Sequence, residues 1–119
     1  VKKYCIVGEV KTDFVEEYSQ KHKEIHKSEY KKLLNVIKDS GVINEVIFMY
    51  KNLAIIYFEA EDLDKCYEIQ SKFEITGKWN KLMEPMFSSD YGFGKNSERL
   101  KSLEKVFDLN EQLNGELFS

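Results

Sequence analysis

Residues 45 to 60 read Glu45-Val-Ile-Phe-Met-Tyr50, Lys51-Asn52, then Leu53-Ala-Ile-Ile-Tyr-Phe58-Glu-Ala60, and no other stretch restricts the fold as tightly. Two runs rich in β-branched and aromatic residues, separated by two turn residues, spell an antiparallel hairpin. In the second run, Leu53 to Phe58, both alternating sets are largely apolar. Successive strand residues point to opposite faces, so such a strand needs cover on both. Helices are expected on one side and a second copy of the chain on the other, which makes a homodimer.

The remaining elements arrange themselves around that hairpin. Tyr4 to Val10 predicts a first strand. Thr12 and Asp13 can cap a helix running to about Ser40, where Gly41 supplies a stop. Its apolar stripe passes through Phe14, Tyr18, Ile25, Leu33 and Ile37, with Tyr30 and Leu34 alongside and lysines 21, 23, 27, 31 and 32 on a wet face. After the hairpin, Glu61, Asp62 and Asp64 open a second helix through Cys66, Tyr67 and Ile69. It resumes after Gly77 through Trp79, Leu82 and Met83 up to Pro85. A loop with Ser88, Ser89, Gly92, Gly94 and Asn96 then leads to a last strand, Leu103 to Leu109. The order β-α-β-β-α-β is the split βαβ pattern of an α+β, ferredoxin-like fold. It predicts a four-stranded antiparallel sheet with both helical segments on one face, of the dimeric α/β-barrel type. Residues 1–109 form one domain in this reading, and 110–119 a polar C-terminal tail.

Composition removes several function classes. At 119 residues the chain suits a single domain, and its 18 basic against 21 acidic residues give a net charge of −3. That is not the basic footprint of a nucleic-acid binder. The longest apolar run, Leu53 to Phe58, is far short of a membrane span. Val1 to Val7 is interrupted by Glu9 too soon to read as a signal peptide, and a cytoplasmic protein is expected. Cys5 and Cys66 stand apart from both histidines and read as free thiols. No His/Cys/Asp cluster has zinc spacing, and Gly92-Phe-Gly94 lacks the context of a phosphate loop.

One constellation does carry chemistry. Tyr18 and His22 are four residues apart on a predicted helix, so phenol and imidazole project from one face. The chain has two histidines in all, His22 and His26, and an imidazole exchanges protons near neutral pH without metal or cofactor.

The residues around that pair resemble the L-rhamnose mutarotase family. The resemblance is carried by the opening strand with Glu16-Glu17-Tyr18-Ser-Gln-Lys-His22-Lys-Glu-Ile25, and by Ser40-Gly41-Val-Ile-Asn44 before the hairpin with Asn52-Leu53. It continues in Gly77-Lys-Trp79-Asn80-Lys-Leu-Met83 and Leu103-Glu-Lys-Val106-Phe107-Asp-Leu109, covering residues 2 to 109. It implies a dimeric ferredoxin-like isomerase that interconverts the α and β anomers of a monosaccharide, with no cofactor. It also implies His22 as the catalytic proton-transfer residue, with Tyr18 and Trp79 as sugar contacts. Asn80 stands where the family has a second tryptophan, and Glu45 where it has a tyrosine contact, so both are candidate substrate-binding residues. The segment between His22 and Gly41 is about one turn longer than the family spacing. That admits a rival register with His26 in the histidine position; His22 is preferred because the match from the N-terminus runs through Tyr18 without a gap.

Mutarotation needs one group to take a proton from the anomeric hydroxyl and another to give one to the ring oxygen. The second carrier is Glu45, Tyr18 or a water, and the residues do not choose among them. Asn80 and Glu45 replace aromatic surface with polar groups, which suits a sugar more hydroxylated than 6-deoxy L-rhamnose. The alternatives are a dimeric ferredoxin-like monooxygenase and a non-catalytic small-ligand-binding domain, since this fold serves many functions.

Overall fold

The computed structural model describes residues 1–88 and 100–115. Strands β1 (Lys2–Glu9), β2 (Asn44–Tyr50), β3 (Leu53–Ala60) and β4 (Leu100–Leu103) form one antiparallel sheet in the order β2-β3-β1-β4. The hairpin forms as its sequence predicts: Tyr50 pairs with Leu53, and Lys51 takes the left-handed conformation at φ 54° that closes the turn. Asn52 ties this turn to the end of β1, donating through Nδ2 to the Val10 carbonyl at 3.1 Å while its own carbonyl accepts from the Val10 N–H at 2.8 Å.

The register sorts the sheet into two faces. Ile6, Ile56 and Ile47 share one row, and Gly8, Ala54 and Met49 the next. With Phe58 and Ala60 these build the core beneath the helices, where Ile6, Ala54, Ile56, Phe58 and Ala60 are all buried. The other face carries the rows Cys5–Tyr57–Val46, Val7–Ile55–Phe48 and Glu9–Leu53–Tyr50. It is as apolar as the sequence implies, and Phe48 and Tyr50 stand 64% and 60% exposed.

The first helix differs from its expectation. Instead of running unbroken to Ser40 it consists of α1 (Val15–Lys23) and α2 (Lys32–Asp39), joined by an elbow with a single tight turn at Ile25–Lys27. The cause is local: Ser28 Oγ donates to the Ile25 carbonyl at 2.9 Å and accepts from the Tyr30 N–H at 3.0 Å. A serine side chain competing in this way for backbone partners interrupts the ladder. Gly41 follows as the expected stop at φ 113°.

Three later boundaries also shift. Asp62 caps α3 (Leu63–Gln70), its carboxylate accepting from the Lys65 N–H. Gly77 does not precede a new helical start but lies inside α4 (Glu74–Met83), because buried Thr76, Trp79 and Met83 carry the helix across it. The last strand ends at Leu103, where Leu103–Leu109 was expected to form it. Val106 and Phe107, 80% and 63% exposed, are adjacent and so break the alternation a strand requires. Asp108 then caps α5 (Leu109–Leu113) and takes a hydrogen bond from Lys3 Nζ, so the start of the expected tail is helical and tied to β1. The loop residues Ser89, Gly92, Gly94 and Asn96 lie outside the described residues, as do the last residues of the expected tail, 116–119.

Candidate active site

Tyr18 and His22 emerge from α1 on the same face, as their spacing predicts, and their ring centroids lie 4.3 Å apart. Tyr18 is buried, and His22 lies partly buried beside it. His22 Nδ1 is 2.7 Å from the Tyr18 backbone carbonyl. That carbonyl can only accept, so the ring proton belongs on Nδ1 and the lone pair of the neutral imidazole is on Nε2. Burial pushes the His22 pKa down, and the carbonyl bond opposes this to a smaller degree. At neutral pH His22 is therefore a neutral ring with a fixed tautomer and a basic Nε2.

Helix α4 brings Trp79 edge-on to His22 at 5.1 Å, and the elbow brings Tyr30 edge-on to Trp79 at 5.3 Å. Phe87, bridged to Val10, meets Tyr18 edge-on at 5.5 Å. Phe87, Tyr18, His22, Trp79 and Tyr30 thus form one continuous aromatic set; the Tyr18 and His22 rings are tilted at 41° to each other, and the other three contacts have the edge-to-face geometry that aromatic quadrupoles favour. A groove beside it is lined by Tyr30, Trp79, Leu82, Lys21 and Glu24.

Glu45 lies at the start of β2, opposite Phe58. Phe58 is buried against Tyr67 of α3, with centroids 5.9 Å apart, so the pairing turns Glu45 toward the helices and away from the open face. Burial pushes its carboxyl up to about 7, and no cation or hydrogen-bond donor among the described residues offsets that burial. Burial, and after it the Glu45 charge, raises the Tyr18 hydroxyl; both act on the Tyr67 hydroxyl too. Glu45 and Tyr18 therefore share one interior.

The remaining candidates divide. His26 is exposed in the elbow, away from the aromatic set. Asn80 follows Trp79 and is turned about 100° from it around the helix. Its Oδ1 is buried without a hydrogen-bond partner among the described residues, and so is Thr76 Oγ1 one turn earlier. Tyr30, Tyr67, Thr76 and Phe87 are neighbours that sequence reasoning missed as site residues. Thr76 had a usable signal in its three-residue spacing from Trp79, whereas Tyr30 reaches Trp79 only because the helix breaks at Ser28.

The family model for L-rhamnose mutarotase matches residues 3–109. The chain belongs to the L-rhamnose mutarotase family. This is a family of isomerases, so the match supports mutarotase function and favours neither the monooxygenase nor the binding-only reading. Among solved structures, an L-rhamnose mutarotase from Formosa agariphila superposes with a TM-score of 0.66 at 21% identity, over 91% of this chain and 98% of that one. The tetracenomycin F2 cyclase of Streptomyces glaucescens, a type II polyketide cyclase, gives 0.56 at 18% identity over 91% and 96%. A dimeric ferredoxin-like protein from an uncultured marine organism gives 0.53 at 18% over 89% and 90%. At these identities the likenesses establish the ferredoxin-like fold and nothing finer. No curated protein matches the chain.

Proposed function

We propose that this chain interconverts the α and β anomers of an aldose, with His22 as the proton-transfer residue and Tyr18 and Trp79 as sugar contacts. The observation that carries this reading is the His22 ring, held by its Nδ1 bond to Tyr18 and bounded by Trp79. A base with one nitrogen fixed and the other available, beside apolar ring surface, suits a pyranose with its C–H face against Trp79 and its anomeric hydroxyl toward Nε2. Opening the hemiacetal requires proton exchange at two oxygens and no covalent bond to the protein. General acid–base assistance of this kind contributes about 10²–10⁴-fold.

Thr76 Oγ1 and Asn80 Oδ1, without partners among the described residues, favour a ligand that brings hydroxyl groups into the interior. On this reading the preferred pyranose carries more hydroxyls than L-rhamnose. The apolar outer face of the sheet supports a homodimer, and the free thiols Cys5 and Cys66 a reducing, cytoplasmic setting.

The test is anomer exchange followed by NMR with L-rhamnose and a panel of aldoses. Exchange above the spontaneous rate is expected, and no acceleration with any aldose would overturn the reading. Faster turnover of L-rhamnose than of every more hydroxylated sugar would sink the shifted preference alone.

A further inference from the structure

We infer that Glu45 is the second proton carrier of this site, serving the sugar ring oxygen while His22 serves the anomeric hydroxyl. The inference deepens the mutarotase reading and rests on it. Strand register, not proximity in sequence, brings Glu45 to the site: it lies opposite buried Phe58, on the face of β2 that looks toward the helices. The titratable groups whose interaction with it is felt are the hydroxyls of Tyr18 on α1 and Tyr67 on α3, and the His22 ring lies against Tyr18. From β1 and β3 the facing residues are Ile6, Ile56, Phe58 and, in the same row as Glu45, Tyr4, whose hydroxyl donates to the Glu61 carbonyl; none of them is a cation. A carboxyl in such a place, with no cation among the described residues to hold it ionised, keeps its proton more readily than a surface glutamate.

The other candidate side chain fits the role less well. The Tyr18 hydroxyl is raised by burial and by the Glu45 charge, so it grips its proton harder than free tyrosine and is a poor acid at neutral pH. Two groups whose surroundings move them in opposite directions, an imidazole biased toward its neutral form and a carboxyl biased toward its protonated form, make an acid–base pair.

The step balances without a co-reactant. His22 Nε2 takes the proton from the anomeric hydroxyl, the C1=O1 bond forms, and the C1–O5 bond breaks with its electron pair left on O5. Glu45 protonates O5. The site then holds an open-chain aldehyde, an imidazolium and a carboxylate. Rotation about C1–C2 presents the other face of the aldehyde. The O5 hydroxyl attacks it, Glu45 recovers the O5 proton, and His22 returns its proton to O1. Both side chains end as they began.

Anomer exchange measured from pH 5 to 9 for wild type, Glu45→Gln and Glu45→Asp tests this. The active form has His22 neutral and Glu45 protonated, so wild-type kcat should fall on the alkaline side with a midpoint near 7, where Glu45 ionises. Glu45→Gln should lower kcat about 100-fold with KM changed by less than about threefold, and its residual activity should lack the alkaline limb. Glu45→Asp should restore part of the rate together with that limb. A Glu45→Gln rate within about threefold of wild type, or a residual rate that keeps the alkaline limb, would overturn the role of Glu45 and leave mutarotation by His22 with water intact. A wild-type rate that stays flat above pH 7 would also overturn it, even if both variants fail to fold. A wild type inactive on every aldose would instead overturn the mutarotase reading and this role with it.

Discussion

An imidazole works as a base only when its free nitrogen is aimed, and for His22, the proposed proton-transfer residue, a carbonyl one helical turn away fixes the ring. His22→Ala should therefore remove essentially all catalysed exchange, a loss of about 10²–10⁴-fold, while His26→Ala, altering an exposed ring in the elbow, should stay within twofold of wild type (about the scatter expected of a surface change). NMR exchange rates of the two variants measured side by side decide the register. Glu45 carries a stability consequence as well. Its folded-state value of about 7 lies above the ordinary 4.5, so folding favours the protonated form. The stability is fully present below about pH 4.5 and drains away as pH rises toward 7. Glu45→Gln should accordingly leave stability at pH 4 nearly unchanged and raise it at pH 8 by about 3 kcal/mol, read from urea midpoints. The Tyr18–His22 pair was legible in the sequence because helical spacing alone sets their common direction. The direction of Glu45 was not, since it depends on pairing with Phe58, a partner that spacing from any motif does not reveal.

Among the elements, two glycines with the same missing side chain should answer the same substitution oppositely. Gly77 sits within α4, and a methyl there would meet no atom within 4 Å. Gly77→Ala should stabilise the protein by about 0.5–1 kcal/mol. Gly41 ends α2 at φ 113°, where a Cβ would come within 3.2 Å of Cys66 Sγ. Gly41→Ala should cost more than about 1 kcal/mol; thermal unfolding of both variants measures the contrast. The hairpin was legible because two turn residues between two apolar runs leave little choice, and Gly41 because a helix stop needs only local chemistry. The break at Ser28 was hidden by an apolar stripe that continues through Ile25, Leu33 and Ile37 as though the helix did. Gly77 misled in the opposite sense: read as a break, it is carried by the burial of Thr76 and Trp79. The shortened β4 and the capped α5 turn on Asp108, whose hydrogen bond to Lys3 spans most of the chain and leaves no local trace.

For the molecule as a whole, the outer face of the sheet carries Val7, Ile55, Phe48 and Tyr50 side by side across three strands. A stable protein–protein interface takes about 800 Å² from each partner, and a charge placed at its centre is left without water or partner. If the homodimer proposed for this face forms, Phe48→Lys should shift it toward monomer by at least about tenfold in dissociation constant, measured by sedimentation equilibrium, without loss of the fold. The elbow between α1 and α2 has a different reach. It lies outside both the sheet register and the Tyr18–His22 turn, and it holds Tyr30 against Trp79. A lineage that gains or loses residues there would reshape the aromatic set beside His22 while the Tyr18–His22 turn stays put. The substrate range of such a protein can then drift through insertions and deletions in one connecting segment, a route of divergence that alignments of catalytic residues would not register.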